Sequence, residues 1–293
     1  MLADDTIRTT LRTAWHLQPD GCTPLDGEPT TSTRTVAVGD RRYLAVLVAA
    51  GERRRFEAGL AAAEHLDRQG VDTGAPVRAA DGALSVPVGE HVLALVAFVP
   101  GRPLDGADPV DQQWWGDRLG AAHRGLAGFR HPGLAEWHPL RPDAPYLSCA
   151  GWLRPAITGA VTALTKLQIT DRLTVGPLHG DPHPAAFRLD HDTGRIGLVS
   201  WRYAGFGPLM YDVASAVRHA GGPERARELL AAYAAAGPVP VAEIEGSLDT
   251  LLRFRWALEA DAYAHALVTG DLTPADTDRC RAGLDETRAA LLD

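Results

Sequence analysis

The stretch HGDPHPAA, residues 179–186, together with the later pair Ser200-Trp201, decides how this chain is interpreted. It places one aspartate, Asp181, between two histidines. Residues 187–189 and 196–199 are rich in β-forming types and flank the turn sequence DHDTG, which predicts a small hairpin directly after the loop. Asp181 therefore lies in a loop whose outgoing chain folds back on itself and ends at Ser200-Trp201.

Composition limits the class of protein. The chain has 293 residues, a net charge of −8 and a pI near 5.7, which argues against a nucleic-acid partner because phosphate-backbone binding needs a basic face. Its three cysteines lie far apart and predict neither a disulfide framework nor a zinc site. No signal peptide is visible, and the longest apolar run, residues 92–100, is too short for a membrane span. These features predict a reduced, cytoplasmic protein with no membrane partner.

Two regions differ in character. Residues 1–100 predict a β-rich unit with one helix over 52–69, and residues 101–293 predict a mainly helical unit that contains the hairpin. Within the second unit, helices are predicted over 209–236 and 241–268 among others. A Pro/Gly cluster at 100–103 marks the boundary. The predicted fold class is α+β, with a small β-rich lobe, a larger helical lobe and a ligand-binding cleft between them.

Six further short segments, each present once, follow one another along the chain in an order that carries information. They are YLAV (43–46), FE (56–57), the strand entry at 70–77, FVPGRPL (98–104), LGAAH (119–123) and GFGPLMYDVA (205–214). With HGDPHPAA, they resemble the aminoglycoside phosphotransferase and choline kinase-like family, which has a protein-kinase-like bilobal fold. The resemblance covers most of the chain, and its specificity comes from the order of the segments rather than from HGD alone.

The resemblance implies roles for the residues that are kept. The family's HGD aspartate orients the acceptor hydroxyl, so Asp181 is the candidate catalytic base. Glu57 is the candidate helix partner of a strand lysine, and Val99 lies in the hinge-like segment beside the nucleotide. His179 and His183 correspond to histidines that structure the family's loop, although a catalytic role with Asp181 remains an alternative.

Three positions depart from the family pattern. Ala45 replaces the strand lysine that holds nucleotide phosphates, and Ala186 and Ser200 replace the asparagine and aspartate that hold magnesium. Alanine has no ligand atom, and a neutral serine hydroxyl is a poor magnesium ligand beside a carboxylate. Each lost electrostatic contact removes about 3–4 kcal/mol of transition-state stabilisation. The sequence therefore predicts a degenerate member of the family with no bound metal.

The acceptor side is predicted on the helix over 241–268. Trp256 and Tyr263 are candidates for lining an acceptor pocket, and Glu259 is a candidate for binding a cationic acceptor, as acidic helices do in aminoglycoside kinases. Core packing for the aromatic residues and a solvated surface for the acid are the alternatives.

Three hypotheses follow. The preferred one is a pseudokinase that binds a small molecule or peptide in the interlobe cleft and needs no cofactor. The first alternative is an active phosphotransferase with atypical ligands for ATP and Mg²⁺. The second is a repurposed enzyme of secondary metabolism in which Asp181, His179 and His183 perform acid–base chemistry.

Overall fold

The computed structural model describes residues 4–25, 33–134, 140–270 and 272–292, and its first part is built on an antiparallel sheet. The elements there are α1 (Asp4–Ala14), β1 (Gly21–Pro24), β2 (Thr33–Val38), β3 (Arg41–Ala49), α2 (Arg53–Asp67), β4 (Pro76–Val77), β5 (Val86–Val88) and β6 (His91–Ala97). The strand order is β1-β2-β3-β6-β4, and β5 also pairs with β6. The sequence predicts two strands over residues 32–50, and residue 32, where the first of them begins, lies outside the described residues.

The two faces of this sheet pack against different helices. On one face, Ala45 is fully buried in an apolar cluster with Ile7 and Leu11 of α1. On the other face, Val46 packs in a cluster with Phe56 of α2. Successive side chains of a strand point to opposite faces, so neighbouring residues of β3 serve different helices. Helix α1 was not predicted, although Ile7 and Leu11 have the i, i+4 spacing of a buried helix face.

The remainder of the chain is mainly helical. Its elements are β7 (Arg102–Pro103), α3 (Pro109–Gly125), α4 (Leu153–Thr170), β8 (Val175–Leu178), β9 (Phe187–Leu189), β10 (Ile196–Leu198), β11 (Gly205–Pro208), α5 (Met210–His219), α6 (Arg227–Ala236), α7 (Val241–Thr269) and α8 (Pro274–Leu292). Trp115, Phe187 and Phe254 are among the largest fully buried side chains of its core. The predicted α+β fold class is confirmed. No helix within the described residues is both long and apolar enough to cross a membrane.

The predicted continuous helix over 209–236 is wrong, because the chain breaks into α5 and α6. Gly221 and Gly222 have φ values of +91° and +101°, and Pro223 follows them. Left-handed glycines end a helix without steric cost, and proline cannot continue one. The break makes His219 the last residue of α5, where it faces the predicted catalytic loop.

The connection at 98–103 forms backbone hydrogen bonds with the hairpin. β7 pairs antiparallel with β9, and β9 pairs with β10, so one small sheet joins the connection to the hairpin after the loop. Gly101 has φ +117°, and a β-carbon there would lie 2.6 Å from the backbone carbonyl of Leu189. Only glycine permits this approach. The 1–100 and 101–293 boundary itself stays a prediction.

Candidate active site

A buried carboxylate fixes the backbone of the loop at 179–186. Asp212 of α5 is fully buried and accepts hydrogen bonds from the backbone N–H groups of His179 (2.7 Å) and Gly180 (2.9 Å). His123 Nε2 lies 3.1 Å from the same carboxylate, and His123 Nδ1 lies 2.8 Å from the hydroxyl of Tyr233. Such a network specifies one loop conformation because each buried polar group has its partner. Asp212 therefore braces the loop and does not face a ligand.

His179 is engaged on both sides of its ring. Its Nε2 lies 2.8 Å from the carbonyl oxygen of Val199, and its ring packs edge-on against Trp201 at 4.8 Å. Its Nδ1 lies 3.4 Å from the backbone nitrogen of Asp181. Burial lowers the pKa of His179 despite the nearby carboxylates of Asp212 and Asp181, so the ring stays neutral. These contacts assign His179 to loop structure.

Gly180 has φ +91°, and a β-carbon there would collide with the carbonyl oxygen of Tyr203. We expect Gly180→Ala to cost about 1–3 kcal/mol of backbone strain and about 1–3 kcal/mol more from the collision. Gly82→Ala is the matched control, since Gly82 has φ +86° and a β-carbon added there would meet no atom within 4 Å. Urea unfolding measures both variants, and equal losses would show that the loop tolerates the added methyl group.

Asp181 is held by basic side chains from two helices. Its Oδ1 lies 3.3 Å from Nη2 of Arg255 on α7 and 3.5 Å from Nε2 of His219 at the end of α5. Burial alone would raise the pKa of Asp181, but His219 and Arg255 outweigh it and hold the pKa at about 2. The carboxylate is therefore ionised and already paired.

The lowered pKa of Asp181 predicts an acid-sensitive contribution to stability. A carboxylate whose pKa falls on folding stabilises the native state above its unfolded pKa, and this stabilisation is lost as the pH falls towards 2. We expect the difference in unfolding free energy between wild type and Asp181→Asn to be constant above about pH 5 and to shrink on further acidification. Asp192→Asn, in the exposed turn, is the control. A difference that stays constant down to pH 2 would contradict the pairing.

His183 completes a small polar cluster with Asp181 and His219. The rings of His183 and His219 lie 5.9 Å apart, and His183 is only partly buried. Burial lowers the pKa of His183, although the Asp181 carboxylate acts in the opposite direction. Of the two histidines predicted from sequence, His183 is the one that remains accessible near Asp181.

The two predicted metal positions lie side by side, but their donor atoms do not fit a magnesium ion. The backbone N–H of Val199 donates to the carbonyl oxygen of Ala186 at 2.8 Å, which brings Ser200 next to Ala186. Ala186 is fully buried in the apolar core, while Ser200 is exposed with φ +70°. A buried methyl group and one hydroxyl offer none of the carboxylate oxygens that magnesium prefers. Within the described residues, no group of three or more His, Cys, Asp or Glu side chains is arranged to hold a metal.

The structure separates Ala45 from Glu57. Ala45 lies on the α1 face of the sheet, whereas Val46 and Val48 of β3 lie on the α2 face. Glu57 instead accepts hydrogen bonds from Ser85 Oγ (2.7 Å) and Arg53 Nε (3.0 Å). The β3 residues in the α2 cluster are therefore valines, which also lack a cation for a phosphate group.

Val99 lies away from Asp181. It lines a cavity of about 220 Å³ together with residues of the 98–100 segment and the hairpin. Its two methyl groups lie next to Gly74 and Gly197. Val99 thus packs between the sheet-containing part and the hairpin, and it does not line the pocket that contains Asp181.

The predicted acceptor residues lie on α7, on the face next to the one that lines the Asp181 pocket. Trp256 is stacked by the guanidinium of Arg218 at 3.9 Å. Glu259 is bonded to Arg255 (3.1 Å) and Arg218 (3.2 Å), so it is not available for a cationic ligand. Tyr263 packs against Gly283 of α8. All three stabilise the helical core rather than line the pocket at Asp181.

The pocket at Asp181 has a volume of about 240 Å³ and combines both halves of the molecule. α2 contributes Arg55, α7 contributes Arg255 and Leu258, and the loop contributes Gly180 and Asp181. Sequence reasoning did not find the two arginines. In the sequence, only two features pointed to these arginines: the basic cluster at 53–55, and the presence of Arg255 on the predicted acceptor helix.

Comparison with known proteins settles the family. A model of the phosphotransferase enzyme family matches residues 23–244, which is most of the chain. The chain belongs to this phosphotransferase family. A homoserine kinase from Acidiphilium cryptum (strain JF-5) is 29% identical over 218 residues. That match covers 65% of this chain, and the chain spans 63% of that relative's length.

Solved structures of other phosphotransferases share the kinase-like fold. An aminopropanol kinase associated with a microcompartment superposes with a TM-score of 0.76 at 18% identity, covering 97% of this chain and 95% of the other. An amicoumacin kinase in complex with AMP-PNP, Ca²⁺ and Ami gives a TM-score of 0.74 at 16% identity, covering 99% of this chain and 94% of the other. A choline kinase from Streptococcus pneumoniae gives 0.71 at 14%, covering 98% and 99%. The predicted protein-kinase-like fold is confirmed.

Proposed function

We propose that this family member is a pseudokinase that binds a small molecule or peptide in the cleft beside Asp181 and does not transfer phosphate from Mg-ATP. The observation that carries the proposal is the donor set beside the braced loop. Ala186 presents a buried methyl group next to Ser200, and Asp181 is paired with Arg255. Phosphoryl transfer depends almost entirely on metal and cation contacts that neutralise developing charge. A site without those contacts can still bind a ligand, but it cannot catalyse phosphoryl transfer.

The braced loop supports retention of a binding function. Asp212, His123 and His179 still hold the loop with buried hydrogen bonds, and an open pocket of about 240 Å³ remains beside Asp181. Buried polar networks are costly if any partner is lost.

We propose that the protein acts in the cytoplasm and that secondary metabolism is its setting.

One observation favours the first alternative, an active small-molecule phosphotransferase that binds ATP and Mg²⁺. The chain is 29% identical to a homoserine kinase over 218 residues. The second alternative, acid–base catalysis by Asp181, His179 and His183, has less support. His179 is bonded to Val199, and a carboxylate with a pKa near 2 is a weak base.

Thermal unfolding with and without Mg-ATP tests the proposal. A ligand that binds only the native state stabilises it by about 2.7 kcal/mol at a concentration of one hundred times Kd. We expect no magnesium-dependent rise in Tm for the wild type, and the same result for Asp181→Asn. A rise that requires both Mg²⁺ and ATP would support the phosphotransferase alternative and reject the pseudokinase.

A further inference from the structure

Arg55 connects the two halves of the molecule at the rim of the Asp181 pocket. Its Nη2 donates to the carbonyl oxygen of Tyr203 at 2.9 Å, and its Nε donates to that of Ala204 at 3.3 Å. These bonds fix the direction of a guanidinium that is otherwise exposed. In the part of the chain that the structure describes, Arg55 forms no ion pair within 4.0 Å. Its positive charge is therefore not balanced by a neighbouring carboxylate.

The second arginine of the pocket differs in this respect. Arg255 is paired with both Asp181 (3.3 Å) and Glu259 (3.1 Å), so its charge is compensated inside the protein. The excess positive charge of the pocket is thus concentrated at Arg55. Leu178 and Leu258 supply an apolar wall.

The size of the pocket limits its ligand. A volume of about 240 Å³ corresponds to roughly eight water molecules, which suits a small metabolite. A guanidinium presents a planar fork of donors that matches the oxygens of a carboxylate or a phosphate. The two carbonyls occupy the Nε–Nη2 edge of Arg55, so a ligand binds to the remaining N–H groups of Nη1 and Nη2. A guanidinium that is already oriented loses little freedom when it binds such a group.

We propose that the Asp181 pocket binds a small anionic metabolite whose carboxylate or phosphate group is held by Arg55. The proposal rests on the proposed function and names the chemical class of its ligand. Leu258 and Leu178 contact the apolar part of that ligand, and Asp181 contacts a hydroxyl or amino group.

Calorimetric titration with succinate and with inorganic phosphate tests this assignment, and choline serves as the cationic comparison. We expect at least one of the two anions to bind wild type more tightly than choline does. Arg55→Gln should weaken that binding by roughly tenfold or more, since it removes a charge-assisted contact. Arg54→Gln is the matched control, because Arg54 is also exposed and donates to a backbone carbonyl, that of Pro132, but does not line the pocket. It should bind as the wild type does.

A second variant separates ligand binding from the contact between the two halves. Arg55→Gln also removes the bonds to Tyr203 and Ala204, whereas Leu258→Glu leaves them and adds a negative charge to the pocket wall. Both variants should bind the anion more weakly than wild type while remaining folded by circular dichroism. Binding of succinate alone would identify a carboxylate ligand, and binding of phosphate alone a phosphate ligand.

The inference is overturned if Arg55→Gln and Arg54→Gln weaken anion binding equally, if choline binds as tightly as the anions, or if neither anion binds. Its failure is distinguishable from failure of the proposed function. Saturable Mg-ATP binding would reject the pseudokinase whatever the response to succinate, and loss of the anion site alone would leave the pseudokinase proposal in place.

Discussion

Arg255→Met is expected to lower the free energy of unfolding by about 3 kcal/mol, at the lower end of the cost of breaking a buried ion pair. The substitution keeps the aliphatic volume of the side chain but leaves Asp181 and Glu259 facing each other without the cation between them. The loss is moderated because Asp181 keeps its contact with His219 and Glu259 keeps its bond to Arg218. Urea-induced unfolding measures the change.

Arg253→Met is the matched control on the same helix. Arg253 is exposed and makes one hydrogen bond, to the carbonyl oxygen of Leu291 at 3.1 Å, so its loss should cost less than about 1 kcal/mol. A double-mutant cycle of Arg255→Met with Asp181→Asn should give a coupling energy of about 1 kcal/mol or more. Equal losses for the two arginine variants would show that Arg255 does not neutralise the site.

Asp212→Ala, a substitution in α5, is expected to destabilise the loop at 179–186 strongly. It leaves the buried backbone N–H of His179 and the half-buried N–H of Gly180 without an acceptor, at about 1–3 kcal/mol each. It also removes the partner of His123 Nε2. We therefore expect a total loss on the order of 4 kcal/mol, with faster hydrogen exchange at the amides of residues 179 and 180.

Two variants control for this effect. Asp212→Asn retains one carboxamide oxygen and should lose less stability than the alanine variant. Asp249→Ala removes an exposed carboxylate from α7 and should change stability by less than about 0.5 kcal/mol. An Asp212→Ala protein as stable as Asp249→Ala would contradict the assignment of Asp212 as the brace of the loop.

The frame of the fold was predictable because its signals are local. The turn residues at 190–194 and the β-forming residues on both sides fix the predicted hairpin, which also brings Ala186 next to Ser200. The Pro/Gly cluster at 100–103 likewise coincides with the chain's passage from the large sheet to the helical part.

The faces of elements were harder to predict. Residues 43–48 of β3 are apolar throughout apart from the tyrosine, so the sequence has no alternation to show that Val46 rather than Ala45 lies on the α2 face. A strand that is covered on both faces lacks this signal. On α7, the predicted stripe of Trp256, Glu259 and Tyr263 lies one residue away from the stripe of Arg255 and Leu258 that lines the pocket. One residue is about 100° of helix rotation.

Charge pairing across the pocket was not predictable, because it depends on long-range placement. Lys166 is the only lysine in the chain, so arginines carry nearly all of its positive charge. The run of arginines at 53–55 does not show which of them faces the pocket, and no local pattern distinguishes Arg255 from Arg253 on the same helix. The contact of His219 with Asp181 depends on the helix break at Gly221-Gly222. The break was not predicted, because the residues on both sides of it favour a helix.

Calorimetric titration of the wild-type protein with Mg-ATP tests the central claim most directly. With Ala186 and Ser200 in place of two magnesium ligands and Asp181 paired to Arg255, we expect no saturable heat and no difference between titrations with and without Mg²⁺. Saturable binding that requires Mg²⁺ and is weakened by Asp181→Asn would contradict the account and identify the protein as a nucleotide-using phosphotransferase.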